Sequence, residues 1–355
     1  MKRTFDYSFL QAAHWDNGIV SQLARIHEYK GRQKLYLSQR PAELGRLVEL
    51  AKVQSTESSN KIEGIVTTDT RIRALVSEKT TPRNRDEAEI AGYRDVLSLI
   101  HERYEHIPLR ANVILQLHRD LYRYSGRDIG GRFKNTQNYI NATLPDGTSR
   151  TLFTPLEPYE TPDAVEAICE QYRRAADADI VDRLLLIPVF IVDFLCIHPF
   201  NDGNGRMSRL LTTLLLYQSG YVVGRYISLE HLIEKTKETY YDALRDASAD
   251  WYAGTNRYDP FIRYLLGVVL CAYREFERRV DVFGAHGNAY ERVRRTALEN
   301  VGGFSKRELL EQCPGLSVSA VETALKRLCN EGILRKTGSG RGTRYVILIS
   351  WQEGS

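Results

Sequence analysis

The sequence has 355 residues and a net charge of +4, and its 43% apolar and 26% charged residues are typical of a globular protein with a sizeable buried core. The longest apolar run, Leu184–Ile197, is too short to cross a bilayer, and residues 1–6 lack the apolar core of a signal peptide, so we expect neither membrane insertion nor secretion. Five scattered cysteines, without metal-ligand spacing, fit a reducing cytoplasm and exclude a disulfide framework.

Changes of pattern along the chain predict three domains: an N-terminal helical extension over residues 1–80, a central domain over 81–280 and a small domain over 285–355. The extension carries apolar residues at helical spacing, namely Ile19, Leu23, Ile26 and Tyr29.

A second helix is predicted over residues 44–60, and Gly64 can adopt the left-handed conformation that ends it. Glu63 then lies at a helix C-terminus, where the helix dipole disfavours a carboxylate. Its simplest interpretation is a solvated surface residue, but the unfavourable position suggests that a cation elsewhere pairs with it.

The central domain begins after a polar break at residues 80–85. Helices are predicted from their apolar spacing over 86–103, 110–122, 162–175 and 181–197. Between them, residues 139–143 and 148–154 resemble two short strands, which the turn residues Pro145, Asp146 and Gly147 would join. By pattern alone this is a surface β-hairpin.

A polar loop separates the helix over 181–197 from another over 206–219. Gly203 and Gly205 let the backbone turn sharply and approach a ligand closely. If a helix begins near Asn204, its first N–H groups favour an anion in the loop.

The same loop carries reactive side chains. Arg206 and Arg209 are three residues apart, so they share a helical face and can reach one polyphosphate. Asp202 is a hard oxygen ligand of the kind that holds Mg²⁺ beside phosphates, and His198 exchanges protons near neutral pH. Each feature alone has a bland explanation, as a turn, a packed histidine or a solvated helix face. Their coincidence within twelve residues favours a site for phosphate chemistry.

Residues 227–248 are amphipathic and include Tyr240 and Tyr241, and a closing helix is predicted over 258–279. The last domain combines helices over 290–300, 305–312 (with Ser305 as N-cap) and 321–330 with a glycine-tipped hairpin over 333–349. This order resembles a winged helix-turn-helix. It holds the whole charge excess, eleven Lys or Arg against seven Asp or Glu, but so small an excess argues against DNA contact.

The stretch His198–Arg209 resembles, at every defining position, the Fic family motif His-Pro-Phe-x-(Asp/Glu)-Gly-Asn-Gly-Arg-x-x-Arg. The resemblance extends over roughly residues 40–275. It implies a mainly α fold, a Fic-type helical bundle with a short β-hairpin flap, to which the small C-terminal winged helix-turn-helix is added. It also implies a protein adenylyltransferase that moves AMP from ATP, with Mg²⁺, onto a Ser, Thr or Tyr hydroxyl of a target protein.

The family motif assigns roles to this chain's residues. His198 would be the catalytic base, Asp202 the Mg²⁺ ligand, and Phe200 the buried anchor of the loop. The phosphates would be held by Gly203, Asn204, Gly205, Arg206 and Arg209. The flap residues Ile140, Asn141, Ala142 and Thr143 would lie over the nucleotide, and Tyr240 beside the adenine. Two positions depart from the family pattern: Lys134 replaces an arginine, and Ser248 an asparagine that touches the nucleotide in some relatives.

Ser59-x-x-x-Glu63-Gly64 resembles the inhibitory motif (Ser/Thr)-x-x-x-Glu-(Gly/Asn) of Fic relatives. The resemblance implies that Glu63 pairs with Arg209 and neutralises the cation meant for the γ-phosphate of ATP. Some relatives also use this glutamate to position water for AMP removal, a question the sequence leaves open.

The expected partner is a target protein that presents a hydroxyl at the flap, with no membrane involved. Self-modification, a homodimer and DNA contact through the winged helix stay open.

Three other functions also stay open. One is a Fic enzyme that transfers a different group, against which the complete Asn-Gly-Arg segment argues. The second is an ATP-sensing transcription regulator, which would not need His198. The third is a toxin with a separate antitoxin, which an inhibitory helix in the same chain disfavours.

Overall fold

The computed structural model describes residues 3–39, 41–143, 148–179, 181–284, 289–298, 300, 303–313 and 315–348. In these ranges the fold is mainly α-helical, as predicted, with two short antiparallel sheets. The helices are α1 (Asn17–Gln39), α2 (Pro41–Ile62), α3 (Asp69–Ser77), α4 (Arg85–Arg103), α5 (Ala111–Leu121), α6 (Thr161–Asp177), α7 (Arg183–Ile197), α8 (Asn204–Gln218), α9 (Leu229–Lys235), α10 (Lys237–Ser248), α11 (Asp259–Gly284), α12 (Ala289–Leu298), α13 (Lys306–Gln312) and α14 (Val318–Asn330). The strands are β1 (Ile140–Thr143), β2 (Ser149–Phe153), β3 (Leu334–Thr337) and β4 (Arg344–Ile347). No helix in the described ranges is long and apolar enough to cross a membrane.

The chain divides into two compact units. The first contains Met1–Gln33 and Val48–Tyr273, and the second Lys34–Leu47 and Arg274–Ser355. The three-domain division at residues 80 and 280–285 stays a prediction.

Helix α7 is the centre of the first unit. It packs against α6 and α8, and α8 also packs against α4. Almost all of its side chains are buried, because a helix that is apolar all round is stable only inside a core. Asp193 is the buried carboxylate of this helix, and it accepts hydrogen bonds from Tyr7, Trp251 and Tyr258. The C-terminus of α7 is thereby fixed where it enters the polar loop.

The predicted hairpin is present as β1 and β2, which pair antiparallel with Asn141 opposite Thr151. The Thr151 hydroxyl donates to Asn141 Oδ1 over 3.0 Å, so the cross-strand pair is joined through side chains as well. The predicted turn, Pro145-Asp146-Gly147, lies outside the described residues.

The structure adds two details to the predicted helices. The amphipathic stretch 227–248 comprises two helices, α9 and α10, because the backbone of Thr236 leaves the helical region (φ −117°, ψ 31°). The short helix α3, capped by the Thr68 side chain, had no counterpart in the sequence prediction.

The second unit has its own core, built from α12, α13, α14 and the β3–β4 hairpin. Its buried residues include Val293, Phe304, Leu309, Val321, Leu325, Leu328 and Leu334. Ser305 caps α13, as predicted, in a capping box with Glu308. Phe304 exchanges backbone hydrogen bonds with Tyr345, which extends the hairpin by one bridge. The winged-helix assignment stays a prediction.

Candidate active site

The loop between α7 and α8 turns sharply at both ends. Helix α7 ends at His198, whose backbone is left-handed (φ 52°, ψ 62°) and whose N–H donates to the Phe194 carbonyl over 2.9 Å. Helix α8 follows Gly203, which has φ 85°. Because a residue with a side chain rarely adopts the left-handed conformation, the surrounding contacts must hold His198 in place.

His198 has one unprotonated ring nitrogen at neutral pH. Its Nδ1 lies 3.2 Å from the Leu195 carbonyl oxygen, and since a carbonyl only accepts, Nδ1 carries the proton of this hydrogen bond. Burial lowers the pKa of His198 to about 4, against the opposing effect of the Leu195 carbonyl. The imidazole is therefore neutral at pH 7, and Nε2 has a lone pair that can take a proton.

Phe200 anchors the loop and is fully buried, as predicted. Its ring stacks on His118, with centroids 3.7 Å apart and planes within 2° of parallel. The side chain of Asn204 accepts from the Phe200 N–H over 2.9 Å and donates to the Phe200 carbonyl over 2.7 Å. Because its amide is engaged in the loop, what Asn204 offers a phosphate here is its backbone N–H.

We expect Phe200→Ala to lower the free energy of unfolding by roughly 3–5 kcal/mol, the usual cost of truncating a buried phenylalanine. Urea denaturation followed by circular dichroism measures the change. Tyr159→Ala, at an aromatic residue that is 80% exposed, is the control and should stay within about 0.5 kcal/mol of the unmodified protein. Equal stability of the two variants would show that Phe200 does not anchor the loop.

Lys134 donates hydrogen bonds to the backbone of the loop. Its Nζ donates to the Ile197 carbonyl over 3.0 Å and to Asn138 Oδ1 over 3.1 Å, and its backbone N–H donates to the Pro199 carbonyl over 2.8 Å. Burial lowers the pKa of Lys134 to about 8. The lysine that replaces the family's arginine thus binds backbone carbonyls on both sides of His198.

The N-terminus of α8 lies against the Glu63 carboxylate. The helical hydrogen bonds begin with Met207 N–H to the Gly203 carbonyl (2.9 Å), so the N–H groups of residues 204–206 have no partner within the helix. A methyl group on Gly205 would overlap the Glu63 carboxylate. A glycine is therefore required at 205 for Glu63 to reach this position, where the helix dipole favours an anion.

Arg209 is buried and directed at the end of α2. Its Nη2 donates to Glu63 Oε1 and to the Ser59 carbonyl, and its Nε donates to Ser59 Oγ, each over 2.8 Å. Burial lowers the pKa of Arg209, but the charge and hydrogen bond of Glu63, together with Tyr240 and Tyr93, outweigh this effect and leave the pKa above its ordinary value. The two residues for which the resemblance implies pairing are in direct contact.

The last turn of α2 is bonded to α9 and α10. Ser58 Oγ donates to Glu234 Oε2 over 2.6 Å, and Lys61 Nζ lies 2.6 Å from Glu234 Oε1. Lys237 Nζ donates to the Ile62 carbonyl over 2.8 Å, where the helix has a carbonyl to satisfy. These contacts hold the end of α2 against the rest of the first unit.

Asp202 faces three guanidinium groups. Its Oδ2 lies 2.7 Å from Arg127 Nη1 and 3.8 Å from Arg85 Nη2, while its Oδ1 lies 3.7 Å from Arg206 Nη2. Oδ1 also accepts the Gly203 N–H over 2.7 Å. Burial raises the pKa of Asp202, but the hydrogen bond from Arg127 and the charge of Arg206 outweigh it, so the pKa lies below its ordinary value. Asp202 is therefore a charged oxygen donor at neutral pH.

Arg206 is almost completely buried, with 1% of its side chain exposed. Its Nη1 lies 2.8 Å from Glu89 Oε2, and its Nη2 donates to the Tyr122 hydroxyl over 2.7 Å. In this structure the guanidinium joins α8 to α4 and to the end of α5. Its contact with a phosphate stays a prediction.

Tyr240 lies in an aromatic cluster with Tyr241, Phe261 and Tyr264, at centroid distances of 5.3, 6.0 and 5.7 Å. Burial raises the pKa of Tyr240, and the charge of Arg209 acts in the opposite direction. Tyr240 therefore belongs to the surroundings of Arg209, and its adenine contact stays a prediction.

The segment before the flap is joined to the loop. Asn138 Nδ2 donates to the Phe200 carbonyl over 2.9 Å, and Asn201 Nδ2 donates to Asn135 Oδ1 over 3.1 Å. In β1, Ile140 is half-buried and Asn141 is exposed, while the side chains of Ala142 and Thr143 lie outside the described residues.

Sequence reasoning missed several residues that contact the loop or its ends from elsewhere in the chain. Among them are Glu89, His118, Tyr122 and Arg127. His118 is hydrogen-bonded through both ring nitrogens. Its Nδ1 accepts the Gly131 N–H over 3.1 Å, so Nε2 carries the proton and donates to the Asp202 carbonyl over 3.0 Å. No local motif marks these positions.

Comparison with known proteins adds independent findings. Residues 108–216 match the model of the Fic/DOC family. A protein adenylyltransferase Fic of Nematostella vectensis is 25% identical over 254 residues, which cover 69% of this chain and 52% of the relative. Another, from Culex quinquefasciatus, is 26% identical over 277 residues, which cover 74% and 48%. The chain thus spans about half the length of these relatives.

The fold also matches that of a solved structure. A Fic family protein from Desulfovibrio desulfuricans superimposes with a TM-score of 0.62 over 96% of this chain and 99% of the other, at 21% sequence identity. At this identity the likeness shows the fold alone. The matched region contains the loop that connects α7 and α8, so residues 108–216 of this chain form a Fic/DOC family domain.

Proposed function

We infer that this protein is a protein adenylyltransferase, which transfers AMP from ATP to a Ser, Thr or Tyr hydroxyl of a target protein. One observation carries the proposal: the segment that leaves a neutral histidine at the end of α7 begins α8 with backbone N–H groups that have no partner within the helix. A base and an anion site on one rigid loop are what transfer of a nucleotidyl group requires. The curated relatives named adenylyltransferase agree with this chemistry.

ATP would bind with its phosphates at the N-terminus of α8. The backbone N–H groups of Asn204 and Gly205 would contact the α- and β-phosphates, with the helix dipole favouring their charge, while the Gly203 N–H stays bonded to Asp202 Oδ1. Arg209 would bind the γ-phosphate once Glu63 leaves it. Arg206 stabilises the same turn from the buried side through Glu89.

Asp202 fits a role as the protein ligand of Mg²⁺. The described residues contain no group of three or more His, Cys, Asp or Glu that could hold a metal alone. Mg²⁺ is commonly bound by one or two carboxylates together with substrate phosphates, and a single charged carboxylate beside a phosphate site meets that requirement. A bound Mg²⁺ would supply neutralisation of the phosphate charge.

The transfer step would use Nε2 of His198. This nitrogen accepts the proton of the target hydroxyl while the hydroxyl oxygen forms a bond to the α-phosphorus. The bond from the α-phosphorus to the bridging oxygen breaks, and pyrophosphate leaves in line with the attacking oxygen. The Leu195 carbonyl would stabilise the imidazolium that results, because it accepts the hydrogen bond from Nδ1–H throughout.

Glu63 would inhibit the enzyme by competition. Its carboxylate lies against Gly205 and binds Arg209, so it takes both the volume and the cation that the γ-phosphate of ATP needs. The contacts of Ser58, Lys61 and Lys237 with their partners stabilise this closed arrangement.

The target segment would bind at the flap. Among the described strands β1 pairs with β2 alone, so its outer edge offers backbone groups to an extended segment. Such strand addition places a hydroxyl by its backbone register rather than by its side-chain type.

Labelled ATP, followed by gel and intact-mass analysis with the purified protein and candidate targets, tests the proposal. Covalent addition of the mass of AMP is the expected result, whereas an added phosphate would identify a different transferred group. ATP binding without any transferred label, in every variant, would favour a nucleotide-sensing regulator.

The pH dependence offers a separate test. In the Glu63→Gly variant, we expect kcat/KM for AMP transfer to stay level down to about pH 5 and to fall as the pH drops through about 4, because His198 gains its proton there instead of near the ordinary value of about 6.5. The charge of Glu63 raises the pKa of His198, so the loss of this charge acts in the same direction as burial. Circular dichroism at each pH checks folding, and a decline centred between roughly pH 6 and 7 would contradict the lowered pKa of His198.

A further inference from the structure

The carboxylate of Asp202 is already bound to a cation, and this cation belongs to the protein. Arg127 Nη1 donates to Oδ2 over 2.7 Å, and the Gly203 N–H occupies Oδ1. A Mg²⁺ ion bound to Oδ2 at roughly 2.0–2.1 Å would lie next to the Arg127 guanidinium, which is 2.7 Å from the same oxygen, and the two cations would repel each other. Binding of a divalent ion at Oδ2 therefore favours departure of Arg127.

The charges around Asp202 oppose a metal ion that arrives alone. Arg85, Arg127 and Arg206 surround the two carboxylates of Glu89 and Asp202, which leaves one net positive charge. A divalent cation would raise that to three positive charges. The phosphates of a nucleotide reverse the balance, because they bring several negative charges to the same place.

Of the three arginines, Arg127 is best placed to exchange partners. The Arg206 side chain is 1% exposed and is packed between Glu89 and Tyr122, while Arg85 Nε is hydrogen-bonded to Glu89 over 2.8 Å. Arg127 is 36% exposed, and its shortest ion pair is the one with Asp202. Its departure would leave the core unchanged.

We propose that Arg127 occupies the cation position on Asp202 in the nucleotide-free protein, and that the nucleotide and the divalent ion arrive together, the ion taking Asp202 while the Arg127 guanidinium moves to a phosphate. Metal binding then depends on nucleotide, and Arg127 becomes a nucleotide-binding residue. Guanidinium groups bind phosphate oxygens through paired hydrogen bonds, so the exchange replaces one charge-assisted bond by another. This inference rests on the proposed ATP-dependent function.

The test measures Mn²⁺ binding by electron paramagnetic resonance of the free ion. The 355-residue chain that carries Glu63→Gly is compared with and without α,β-methylene-ATP, which cannot donate AMP. We expect weak Mn²⁺ binding without the analogue and much tighter binding with it. Adding Arg127→Gln should tighten Mn²⁺ binding without the analogue by roughly tenfold, since one charge-assisted bond no longer competes. The same change should shrink the gain that the analogue produces.

Two controls locate the effect. Arg132→Gln removes the same charge from the same segment, but Arg132 is paired with Asp128 at 2.9 Å, so its Mn²⁺ affinity should equal that of the parent. Asp202→Asn should abolish the Mn²⁺ binding that Arg127→Gln exposes. Equal Mn²⁺ affinity of the Arg127→Gln and Arg132→Gln proteins would overturn the proposal, as would Mn²⁺ binding that survives Asp202→Asn.

Failure of this inference is distinguishable from failure of the proposed function. Tighter Mn²⁺ binding in Arg127→Gln, without AMP transfer by any variant, would support the exchange and remove the adenylyltransferase assignment. AMP transfer with unchanged Mn²⁺ affinity would support the enzyme and overturn the exchange.

Discussion

Replacement of His198 by alanine should lower the rate of AMP transfer by roughly 10²–10⁴-fold, the usual contribution of a positioned general base. The structure gives the physical reason: Nδ1 is bonded to the Leu195 carbonyl and the pKa is lowered to about 4, so Nε2 is a base without prior deprotonation. Single-turnover transfer from labelled ATP, in the Glu63→Gly background, measures the loss. ATP affinity should be nearly unchanged.

His106→Ala is the matched control, because His106 is exposed and lies at the end of a short helical turn after α4. It should transfer AMP at the parent rate. If His198→Ala also kept the parent rate, another group would have to accept the hydroxyl proton, and the assignment of His198 would be wrong.

Replacement of Glu63 by glycine should raise AMP transfer by roughly ten- to a hundredfold. Glu63 accepts a hydrogen bond from the buried Arg209, and hydrogen bonds to charged groups contribute roughly 1.5–3 kcal/mol. Each 1.4 kcal/mol corresponds to a tenfold change in an equilibrium constant. Steady-state transfer at saturating ATP, with the unmodified protein beside the variant, gives the ratio.

Glu63→Gln separates charge from volume. It keeps the size of the side chain against Gly205 but removes the charge that binds Arg209, so an intermediate rate would show that both effects inhibit. A rate for Glu63→Gly at or below that of the unmodified protein would remove the auto-inhibition hypothesis and leave the Arg209 ion pair as a structural contact.

The loop can be recognised in the sequence because its polar and charged residues are close together along the chain. His198, Asp202, Gly203 and Arg209 lie within twelve residues, and a helix start at Asn204 fixes their relative positions. The pairing of Glu63 with a cation could be predicted for a different reason. A carboxylate next to Gly64, at a helix C-terminus, is electrostatically unfavourable unless a cation pairs with it.

The supporting residues were not predictable in the same way. Glu89 contacts Arg206 from a helix more than a hundred positions earlier, and its local pattern is that of an ordinary polar helix start. Arg127 lies in a loop whose only sequence signal is its basic character. Such contacts arise from tertiary packing, which single-sequence periodicity does not encode.

Helices of the core were predicted closely, because their apolar spacing reflects burial, and α7 and α8 begin and end within two residues of the prediction. The sequence does not predict the break between α9 and α10, because threonine is not a strong helix terminator. At Thr236 a hydrogen bond from the side chain to the Leu232 carbonyl and a contact with the Tyr264 hydroxyl accompany the change of backbone direction.

The reciprocal hydrogen bonds between Asn204 and Phe200 have a thermodynamic consequence for ligand binding. They order the backbone of the loop during folding, so the loss of conformational entropy for these residues precedes the arrival of a ligand. When a nucleotide binds here, little further conformational entropy of the loop is lost. More of the interaction free energy therefore appears as affinity.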